Sequence, residues 1–323
     1  MLYPLIFQPI FKERVWGGRN LARLYGKRLP PTAPIGESWE ITDRPGDASI
    51  IANGQLAGKN LHWLIEHHAS ELLGTLKPQN GRFPLLVKIL DAQKNLSLQV
   101  HPPAHKAAEL GGEPKTEMWY IADAAPGAEL FVGLRRGVTR EDFERKLRDQ
   151  MVTDCLHRVK VRAGDAMFLP SGRVHAIGAG LVIFEIQQNS DTTYRLFDWN
   201  RAGLDFKPRE LHLTQSLASI DFKDFEPMPV AGAFCGKDAV KVRPLVRDPL
   251  FSVEMMEMAS GAVASLKPRT MQIVACLSGN LRLEGDSVTI ERSPGELCLI
   301  PACFENTTLR AQTVATLLRV EAG

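Results

Sequence analysis

The sequence predicts a mainly β fold built from two related jelly-roll β-barrel or sandwich modules, with a small helical portion. From Phe83 onward, short apolar runs alternate with Gly, Pro, Asn and Asp residues, which is typical of strands joined by turns. Stretches with helical spacing of apolar residues are few. A weak repeat links the two halves of the chain, whose 323 residues are enough for two domains.

The predicted strands of the first half are short apolar runs that lie between turn signals. Their length and setting favour strands over helices. Three helices are predicted beside them: one over residues 61–73, one that begins at the capping-box-like Thr139-Arg-Glu-Asp142 and ends near Leu147, and one that begins near Pro208. The predicted strands are 84–90, 96–100, 118–121, 130–132, 166–169 and 181–186.

The domain boundaries are predicted from composition and from the repeat. Residues 224–236 are rich in Pro and Gly, as linkers are. We expect a catalytic domain over 1–222 with helical insertions, a linker over 223–236 and a degenerate copy of the β module over 237–323. A Gly and a Pro recur with equal spacing in both halves, but a histidine is replaced by asparagine in the second copy. The matching residues are Gly164, Pro170, Gly172 and His175, and Gly295, Pro301, Cys303 and Asn306.

Charge, cysteine content and hydropathy exclude several classes of protein. Lys and Arg total 39 against 37 Asp and Glu, and this net charge of +2 argues against a nucleic-acid partner or a charged membrane surface. Five cysteines without a C-x-x-C pair argue against a disulfide framework and a cysteine-based zinc site. No run approaches the ~20 apolar residues of a membrane helix, and the proline-interrupted N-terminus does not resemble a signal peptide. A cytoplasmic protein is expected.

Side chains that commonly bind metals lie on separate predicted strands of the first module. Alternation places Gln99 and His101 on one polar strand face, and Glu117 shares a face with Lys115. His175 follows a Pro/Gly turn. Each segment alone also fits an ordinary solvated surface, but together two histidines, a glutamate and a glutamine match a mononuclear site with N and O ligands. Such a site suits Zn, Fe, Mn, Ni or Co better than Ca or Mg.

These motifs carry a resemblance to a known family. The spacing from Gly164 to His175 is similar to the second motif of the cupin superfamily, and the segment from Gln99 to Glu117 is similar to the first. More closely, the chain resembles the short bacterial form of the type I mannose-6-phosphate isomerase family, by motif over roughly residues 1–222 and by architecture beyond. The segments that carry the resemblance are Val15-Trp-Gly-Gly18, Ile35-Gly-Glu-Ser-Trp-Glu40, Ser97-Leu-Gln-Val-His-Pro102, Lys115-Thr-Glu-Met-Trp-Tyr120, Leu169-Pro-Ser-Gly-Arg-Val-His-Ala176 and Gln187-Gln-Asn-Ser-Asp-Thr-Thr-Tyr-Arg195.

The resemblance implies cupin-like modules and a metal-dependent aldose–ketose isomerase. Such an enzyme interconverts mannose 6-phosphate and fructose 6-phosphate through an enediol. The implied ligands of one Zn²⁺ per subunit are Gln99, His101, Glu117 and His175. The implied catalytic residues are Arg195, Lys115 and Lys88, and the implied substrate contacts are Ser97, Trp16 and Glu40.

Several roles stay open at the level of sequence. Lys88 lies in an apolar run, where a charge is costly unless it is paired or functional. It is a proton carrier, a phosphate anchor or a snorkelling surface lysine, and Lys115, Glu40 and a water at the metal are equally open as the base. Arg195 has an alternative role as a structural partner of a nearby aspartate. Candidate cations for the phosphate are Lys115, Arg173, Arg201 and Arg209.

Two other functions compete with the isomerase. A cupin oxygenase would hold Fe(II) with two histidines and a carboxylate, but Gln99 as a further ligand and a neighbouring Arg195 fit that chemistry poorly. A non-catalytic sugar-binding cupin would have disrupted ligand positions, and the first module shows none. The expected partner is a small phosphorylated sugar, and the expected assembly is a monomer or a weak homodimer.

Overall fold

A computed structural model describes residues 2–236, 239–285 and 288–323. This part of the chain contains twenty-two strands and five α-helices. The strands are β1 (Ile10–Gly18), β2 (Ile35–Ile41), β3 (Asp43–Arg44), β4 (Asp47–Ala48), β5 (Leu85–Ala92), β6 (Leu98–Val100), β7 (Glu117–Ala124), β8 (Glu129–Leu134), β9 (Leu156–Lys160), β10 (Ala166–Leu169), β11 (His175–Ile177), β12 (Leu181–Gln188), β13 (Tyr194–Phe197), β14 (Val240–Arg247), β15 (Phe251–Met258), β16 (Val263–Ser265), β17 (Gln272–Ser278), β18 (Leu281–Gly285), β19 (Val288–Arg292), β20 (Leu297–Ile300), β21 (Thr308–Ala311) and β22 (Ala315–Ala322). The helices are α1 (Asn20–Tyr25), α2 (Leu61–Leu73), α3 (Ala104–Ala107), α4 (Arg140–Arg148) and α5 (Leu213–Ser219).

Two antiparallel sheets face each other in the N-terminal half. The larger sheet has the strand order β1-β2-β5-β12-β7-β10, and the smaller has the order β13-β6-β11-β8-β9. Side chains alternate along β12, so that Val182 and Phe184 pack in a core shared with the C-terminal half. Leu181 and Ile183 pack instead against residues of the smaller sheet. Both faces of β12 are therefore covered, which explains its nearly continuous apolar sequence.

The C-terminal half has the same order of strands. Its two sheets are β14-β15-β22-β17-β20 and β16-β21-β18-β19. When the strands are ranked along the chain, β5-β12-β7-β10 and β15-β22-β17-β20 both run first, fourth, second, third. The series β6-β11-β8-β9 and β16-β21-β18-β19 follow the same order. The mainly β prediction is confirmed, and this shared order is a second similarity between the halves beside the Gly/Pro motif.

The predicted closure of each module into a barrel is wrong. Among the described residues no hydrogen-bonded ladder joins an edge strand of one sheet to the facing sheet, so each module is a pair of open sheets. Single chain segments cover two of the sheet edges. Leu5 exchanges two backbone hydrogen bonds with Leu299 of β20, and the N–H of Val230 donates to the carbonyl of Ala166 in β10. These contacts protect edge strands without closing a barrel.

Two of the three predicted helices are confirmed. In α2 the Asn60 side chain accepts a hydrogen bond from the N–H of Trp63 at 2.8 Å, and in α4 the Thr139 hydroxyl accepts one from the N–H of Asp142 at 3.1 Å. Both are N-caps of the kind that such residues form. The third helix starts at Leu213 rather than near Pro208, and the intervening residues 209–212 continue a loop that follows β13.

The predicted linker lies between the halves and has little regular structure. Residues 223–236 contain no helix or strand, and isolated bridges join Phe225 to Leu134 and Cys235 to Val242. The predicted start of the second domain at residue 237 lies outside the described residues. All five cysteines are free thiols. No helix in the described ranges combines the length and apolar content that a membrane crossing requires.

Candidate metal centre and active-site cleft

Three buried side chains bring metal-ligating atoms together between the two N-terminal sheets. Glu117 begins β7 in the larger sheet, His175 begins β11 in the smaller sheet, and His101 follows β6. One ligand atom from each residue lies within 4.8 Å of the others, and their exposed fractions are 0%, 1% and 2%, respectively. Strand ends from facing sheets therefore bring together residues that are up to 74 positions apart in sequence.

A tight turn connects the two histidine segments. Gly172 has a φ of 95°, a conformation that strains residues with a side chain. Its N–H donates a hydrogen bond to the carbonyl of His101 at 2.9 Å. The preceding Ser171 hydroxyl accepts a hydrogen bond from the N–H of Lys115 at 3.2 Å. The Pro-Ser-Gly sequence thus holds the turn before His175 against both other ligand segments.

Backbone carbonyls determine which ring nitrogen of each histidine carries the proton. Nδ1 of His101 lies 2.8 Å from the carbonyl oxygen of Thr192, and Nδ1 of His175 lies 2.9 Å from that of Arg173. A carbonyl only accepts, so both Nδ1 atoms donate. Both Nε2 atoms therefore present lone pairs to the centre, as metal-bound histidines do when a neighbouring group orients them.

Acceptor atoms are crowded together at the centre. Nε2 of His101 lies 3.6 Å from one oxygen of Glu117, and Nε2 of His175 lies 3.4 Å from the other. Oε1 of Glu117 and Nε2 of His101 are buried without a hydrogen-bond partner among the described residues, and Oε2 of Glu117 contacts Nζ of Lys115 at 3.0 Å. Buried polar atoms without partners are costly. A divalent cation among them would satisfy all of these acceptors at once, so the residues present fit a bound metal.

Protonation states at the centre also suit a metal. Burial lowers the pKa of His101 to about 3, with a further contribution from Lys115, and burial likewise lowers the pKa of His175. Burial alone would raise the pKa of Glu117, but Lys115 and His101 hold it well below its usual value. The result is two neutral imidazoles and one carboxylate, the forms that bind metals.

Gln99 lies beside this centre and opposite His175 in the β6–β11 pair. Its amide Nε2 is 3.2 Å from Nε2 of His175. Rotation of the amide by half a turn would place its oxygen at the same position, and the two orientations differ only in which atom faces the histidine. Gln99 is therefore within reach of the position that a fourth ligand would occupy.

A polar cleft of about 520 Å³ opens next to the metal centre. Gln99 and Lys115 line it, and Nζ of Lys115 forms an ion pair with Glu117 at 3.0 Å. Six of the predicted site residues line the cleft: Trp16, Lys88, Ser97, Gln99, Lys115 and Arg195. Residues that sequence reasoning missed also line it, among them Glu13, Arg14, Glu37, Glu185 and Asp191.

Lys88 is buried at the floor of the cleft between two carboxylates. Its Nζ lies 3.4 Å from Glu185 and 3.8 Å from Glu37. Indole N–H groups hold these carboxylates: Trp39 donates to Glu37 at 2.6 Å and Trp119 to Glu185 at 3.0 Å. Burial, together with the charge of Glu117, raises the pKa of Glu185. Of the alternatives for Lys88, a snorkelling surface residue is excluded, since only 4% of it is exposed.

The glutamate predicted to contact substrate points away from the cleft. Glu40 accepts a hydrogen bond from Ser38 and pairs with Lys27 at 2.8 Å, in a separate and smaller cavity near Arg292. Alternation along β2 places Glu37, three residues earlier, on the cleft side instead. Glu37, and not Glu40, therefore lines the cleft. A lone glutamate inside the apolar run 181–186 was a usable signal for Glu185.

Glu37 provides a prediction for stability against pH. Burial would raise its pKa, but Lys88 and Arg14 lower it from 4.5 to about 2. A carboxylate with a depressed folded-state pKa stabilises the fold above pH 4.5, and this contribution is lost as the pH falls from about 4.5 to about 2. Glu37→Gln should thus cost about 2–3 kcal/mol at pH 7 and little near pH 2.

Urea unfolding of metal-free protein between pH 7 and pH 2.5 measures the effect of Glu37→Gln. The gap in unfolding free energy between the wild type and the variant should narrow as the pH falls. Glu141→Gln, which alters an exposed carboxylate on α4, is the matched control and should show no gap. A constant difference between the wild type and Glu37→Gln across the range would contradict the assigned pKa.

Arg195 lines the cleft from β13, in register with Gln99 of β6. Its Nη1 donates to the carbonyl of Glu210 at 2.8 Å, and its Nε is buried without a partner in the described part of the chain. The alternative structural role is not found, because no carboxylate among the described residues lies within ion-pair distance of Arg195. Asp198 instead pairs with Arg201 and Arg209. Burial and the neighbouring Arg209 lower the pKa of Arg195.

The other candidate cations for the phosphate differ in whether they line the cleft. Arg173 forms two hydrogen bonds with Asp224, each 2.8 Å long, and does not line the cleft. Arg201 is directed to Asp198 and to the carbonyl of Asn95, and it does not line the cleft either. Arg209 does line it.

Sequence comparisons place this site among known proteins. Residues 5–114 match the sequence profile described as phosphomannose isomerase type I, catalytic domain. The chain is 37% identical to mannose-6-phosphate isomerase ManA of Bacillus subtilis over 303 residues, which cover 92% of this chain and 93% of that protein. It is 35% identical to the mannose-6-phosphate isomerase of Streptococcus mutans over 284 residues, with coverage of 88% and 87%, respectively.

Structural comparison extends the similarity over the whole chain. A crystal structure of the mannose 6-phosphate isomerase from Bacillus subtilis superposes with a TM-score of 0.90 at 29% sequence identity. The match covers 99% of this chain and all of that one. The similarity therefore includes the C-terminal half, which the sequence profile does not reach.

Proposed function

The chain belongs to the type I phosphomannose isomerase family, and from this premise we propose that it interconverts mannose 6-phosphate and fructose 6-phosphate in the cleft beside His101, Glu117 and His175. One observation carries the proposal from the family to this cleft. The only cluster of metal-ligating side chains in the described ranges is buried and includes acceptors without hydrogen-bond partners, and it adjoins a cleft lined by both cations and carboxylates. The family predicted from the motifs is confirmed, and the function agrees with the names of the relatives.

The metal would be held by His101, Glu117, His175 and the amide oxygen of Gln99, as one Zn²⁺ per subunit. Two imidazoles and two oxygen donors suit zinc, whose protein sites take N and O ligands in a four-coordinate arrangement. When bound, such an ion would polarise the substrate carbonyl and stabilise negative charge on its oxygen. Isomerisation changes no overall oxidation state, so an ion without redox chemistry is sufficient.

Arg195 supplies a positive guanidinium to the substrate oxygens. The reaction removes a proton from carbon, so charge builds on oxygen as the enediol forms, and fixed donors at that position lower the barrier. The guanidinium is planar and offers several donors in a rigid arrangement. It has no carboxylate partner within ion-pair distance in the described part of the chain, so its charge is available to the substrate.

Lys88 and Lys115 are assigned to proton handling and to charge balance. Nζ of Lys88 lies 3.4 Å from Glu185, so these two groups can exchange a proton. Together they can accept the proton from one substrate carbon and return it to the neighbouring carbon. Nζ of Lys115 pairs with Glu117 at 3.0 Å and keeps that ligand ionised. Ser97 and Trp16, which are buried in the cleft wall, are assigned to substrate contact.

A coupled assay tests the proposed function directly. We expect mannose 6-phosphate to be converted to fructose 6-phosphate, with activity lost after chelation and regained on addition of zinc. The control is the same assay with a metal-independent coupling enzyme alone, which shows that the chelator does not inhibit the detection step. Stoichiometric iron with oxygen consumption and no turnover of the sugar phosphate would favour the cupin oxygenase. Sugar binding without turnover would favour the non-catalytic cupin.

The cysteines and the proposed substrate bear on the cellular location. The free cysteines and a sugar-phosphate substrate support a reducing, cytoplasmic location.

We also propose that the halves are copies of one cupin-like module, with domains over 1–222 and 237–323. The shared strand order supports this, and so do Gly164 and Gly295, which both have positive φ. A monomer or weak homodimer stays a prediction.

A further inference from the structure

The cations of the cleft differ in whether their charge is already neutralised. Arg14 pairs with Glu37, Lys115 with Glu117, and Lys88 lies between two carboxylates. These three balance charges inside the metal-proximal part of the cleft. Arg195 and Arg209 line the part of the cleft wall that β13 and the loop after it form. Arg195 has no ion pair in the described ranges, and Arg209 shares its ion-pair partner, Asp198, with Arg201.

A single carboxylate serves two arginines in this wall. Asp198 accepts hydrogen bonds from Nε and Nη2 of Arg209, both 2.6 Å long, and it also pairs with Arg201 at 2.8 Å. Arg201 uses its remaining donor group on the carbonyl of Asn95. Nη1 of Arg209, by contrast, has no hydrogen-bond partner among the described residues, and its side chain is 22% exposed. Arg209 therefore presents free donors to the cleft.

The two arginines that line this wall differ in how their charge is compensated. Asp198 compensates Arg201 and Arg209 together, and Arg195 has no ion pair in the described ranges. Asp191 and Asp205 also line the cleft, but neither lies within ion-pair distance of these arginines. Burial and the repulsion from Arg209 lower the pKa of Arg195, which is the direction expected for clustered cations.

Strand register places Asp198 further from the metal ligands than Arg195. Arg195 lies opposite the proposed ligand Gln99, and Phe197 lies opposite Leu98. Trp199 then donates to the carbonyl of Leu96 at 2.6 Å. Asp198, which follows Phe197, therefore lies further along this pair of strands than Arg195 and Gln99. A sugar phosphate reacts at C1 and C2 and carries its phosphate at C6, so the two ends need separate sites.

We propose that Arg209, supported by Asp198, binds the phosphate group of the sugar phosphate. The inference rests on the proposed function. Asp198 holds Nε and Nη2 of Arg209, so that Nη1 points its donors at the phosphate oxygens without further ordering of the side chain. A phosphate dianion would also give Arg209 a second anionic partner, because Arg209 shares Asp198 with Arg201. Arg201 is held outside the cleft by Asp198 and the carbonyl of Asn95 and takes no part in binding the phosphate.

The test compares Arg209→Gln with Arg201→Gln. Both variants remove one partner of Asp198, but only the first removes a cation from the cleft. For Arg209→Gln we expect about a 10- to 100-fold rise in KM for mannose 6-phosphate, because a charge-assisted hydrogen-bond group is lost. The inhibition constant of inorganic phosphate should rise by a similar factor, with kcat reduced less than about threefold. Arg201→Gln should leave the KM and the inhibition constant within about threefold of wild type.

Several results would overturn the proposal. An unchanged KM in Arg209→Gln, equal effects in both variants, or a loss confined to kcat would each show that Arg209 does not bind phosphate. If Arg209→Gln does not fold, Arg209→Lys keeps the charge but loses the forked donors, and it should still raise KM severalfold. An Arg209→Lys variant with wild-type KM and phosphate inhibition would then overturn the proposal.

Failure of the proposed function is a separate outcome. Wild-type protein with zinc that shows no isomerase activity would refute the proposed function itself. The phosphate site is then judged by the rise in Tm that inorganic phosphate produces. That rise should be present in wild type and in Arg201→Gln and absent in Arg209→Gln, and its retention in Arg209→Gln would overturn the site.

Discussion

His175→Ala should abolish both metal binding and isomerase activity. His175 contributes one of the two neutral imidazoles of the centre, and its Nδ1 is held by the carbonyl of Arg173 so that Nε2 faces Glu117. Removal of a protein ligand lowers metal affinity, because fewer donors then hold the cation. We expect less than about 1% of wild-type kcat/KM, since a metal that stabilises transition-state charge contributes several kcal/mol.

Metal analysis after dialysis, together with the coupled assay, measures this effect of His175→Ala. His67→Ala is the matched control, because His67 lies exposed on α2 and should keep full metal content and activity. A melting curve for each variant separates loss of the ion from loss of the fold. Wild-type turnover in His175→Ala at low free zinc would show that the ligand assignment is wrong.

Arg195→Ala should instead keep the metal and the fold while kcat falls by about 10²–10³-fold, the usual cost of removing one donor to a developing oxyanion. The guanidinium is in register with Gln99 and has a buried Nε without a partner among the described residues. No ion pair anchors the arginine to a carboxylate in that part of the chain, so the fold should lose little. The effect is therefore expected in the chemical step.

Steady-state kinetics with zinc analysis on the same sample distinguishes the two arginines of the cleft. Arg195→Ala should lower kcat, whereas Arg209→Gln should raise KM. Arg158→Ala serves as the control, because Arg158 forms an exposed ion pair with Glu129 on the same sheet. An unchanged kcat in Arg195→Ala would assign that arginine a structural role, and loss of zinc would assign it to the metal centre.

Much of the candidate site was predictable because it depends on local chemistry. A strand with one polar face identified Gln99 and His101, and a Pro/Gly turn identified the position of His175. These patterns depend on residues adjacent in sequence, and the turn at Gly172 forms with the required positive φ. The same holds for the caps at Asn60 and Thr139. Turns and caps of this kind can be predicted from the sequence because they depend on the backbone geometry of a few adjacent residues.

Other features of the fold and the site depended on which strands and side chains pack against each other in the tertiary structure. Glu37 and Glu40 occupy the same strand, and only the packing of β2 decides that Glu37 faces the cleft. Lys88 was ambiguous until Glu37 and Glu185 were found on either side of it. Open sheets in place of barrels could not be inferred from strand patterns either, since closure depends on what covers the edge strands.

The sequence alone determined the β class, the candidate ligand types and the family, since strand alternation, turn residues and motif spacing are local properties. Tertiary structure decided which charges remain unpaired. Arg195, Arg201 and Arg209 follow one another within 15 positions, yet one lines the cleft without an ion pair in the described ranges, one is held outside it and one shares Asp198. An electrostatic role depends on distances between strands and loops, which no linear pattern specifies.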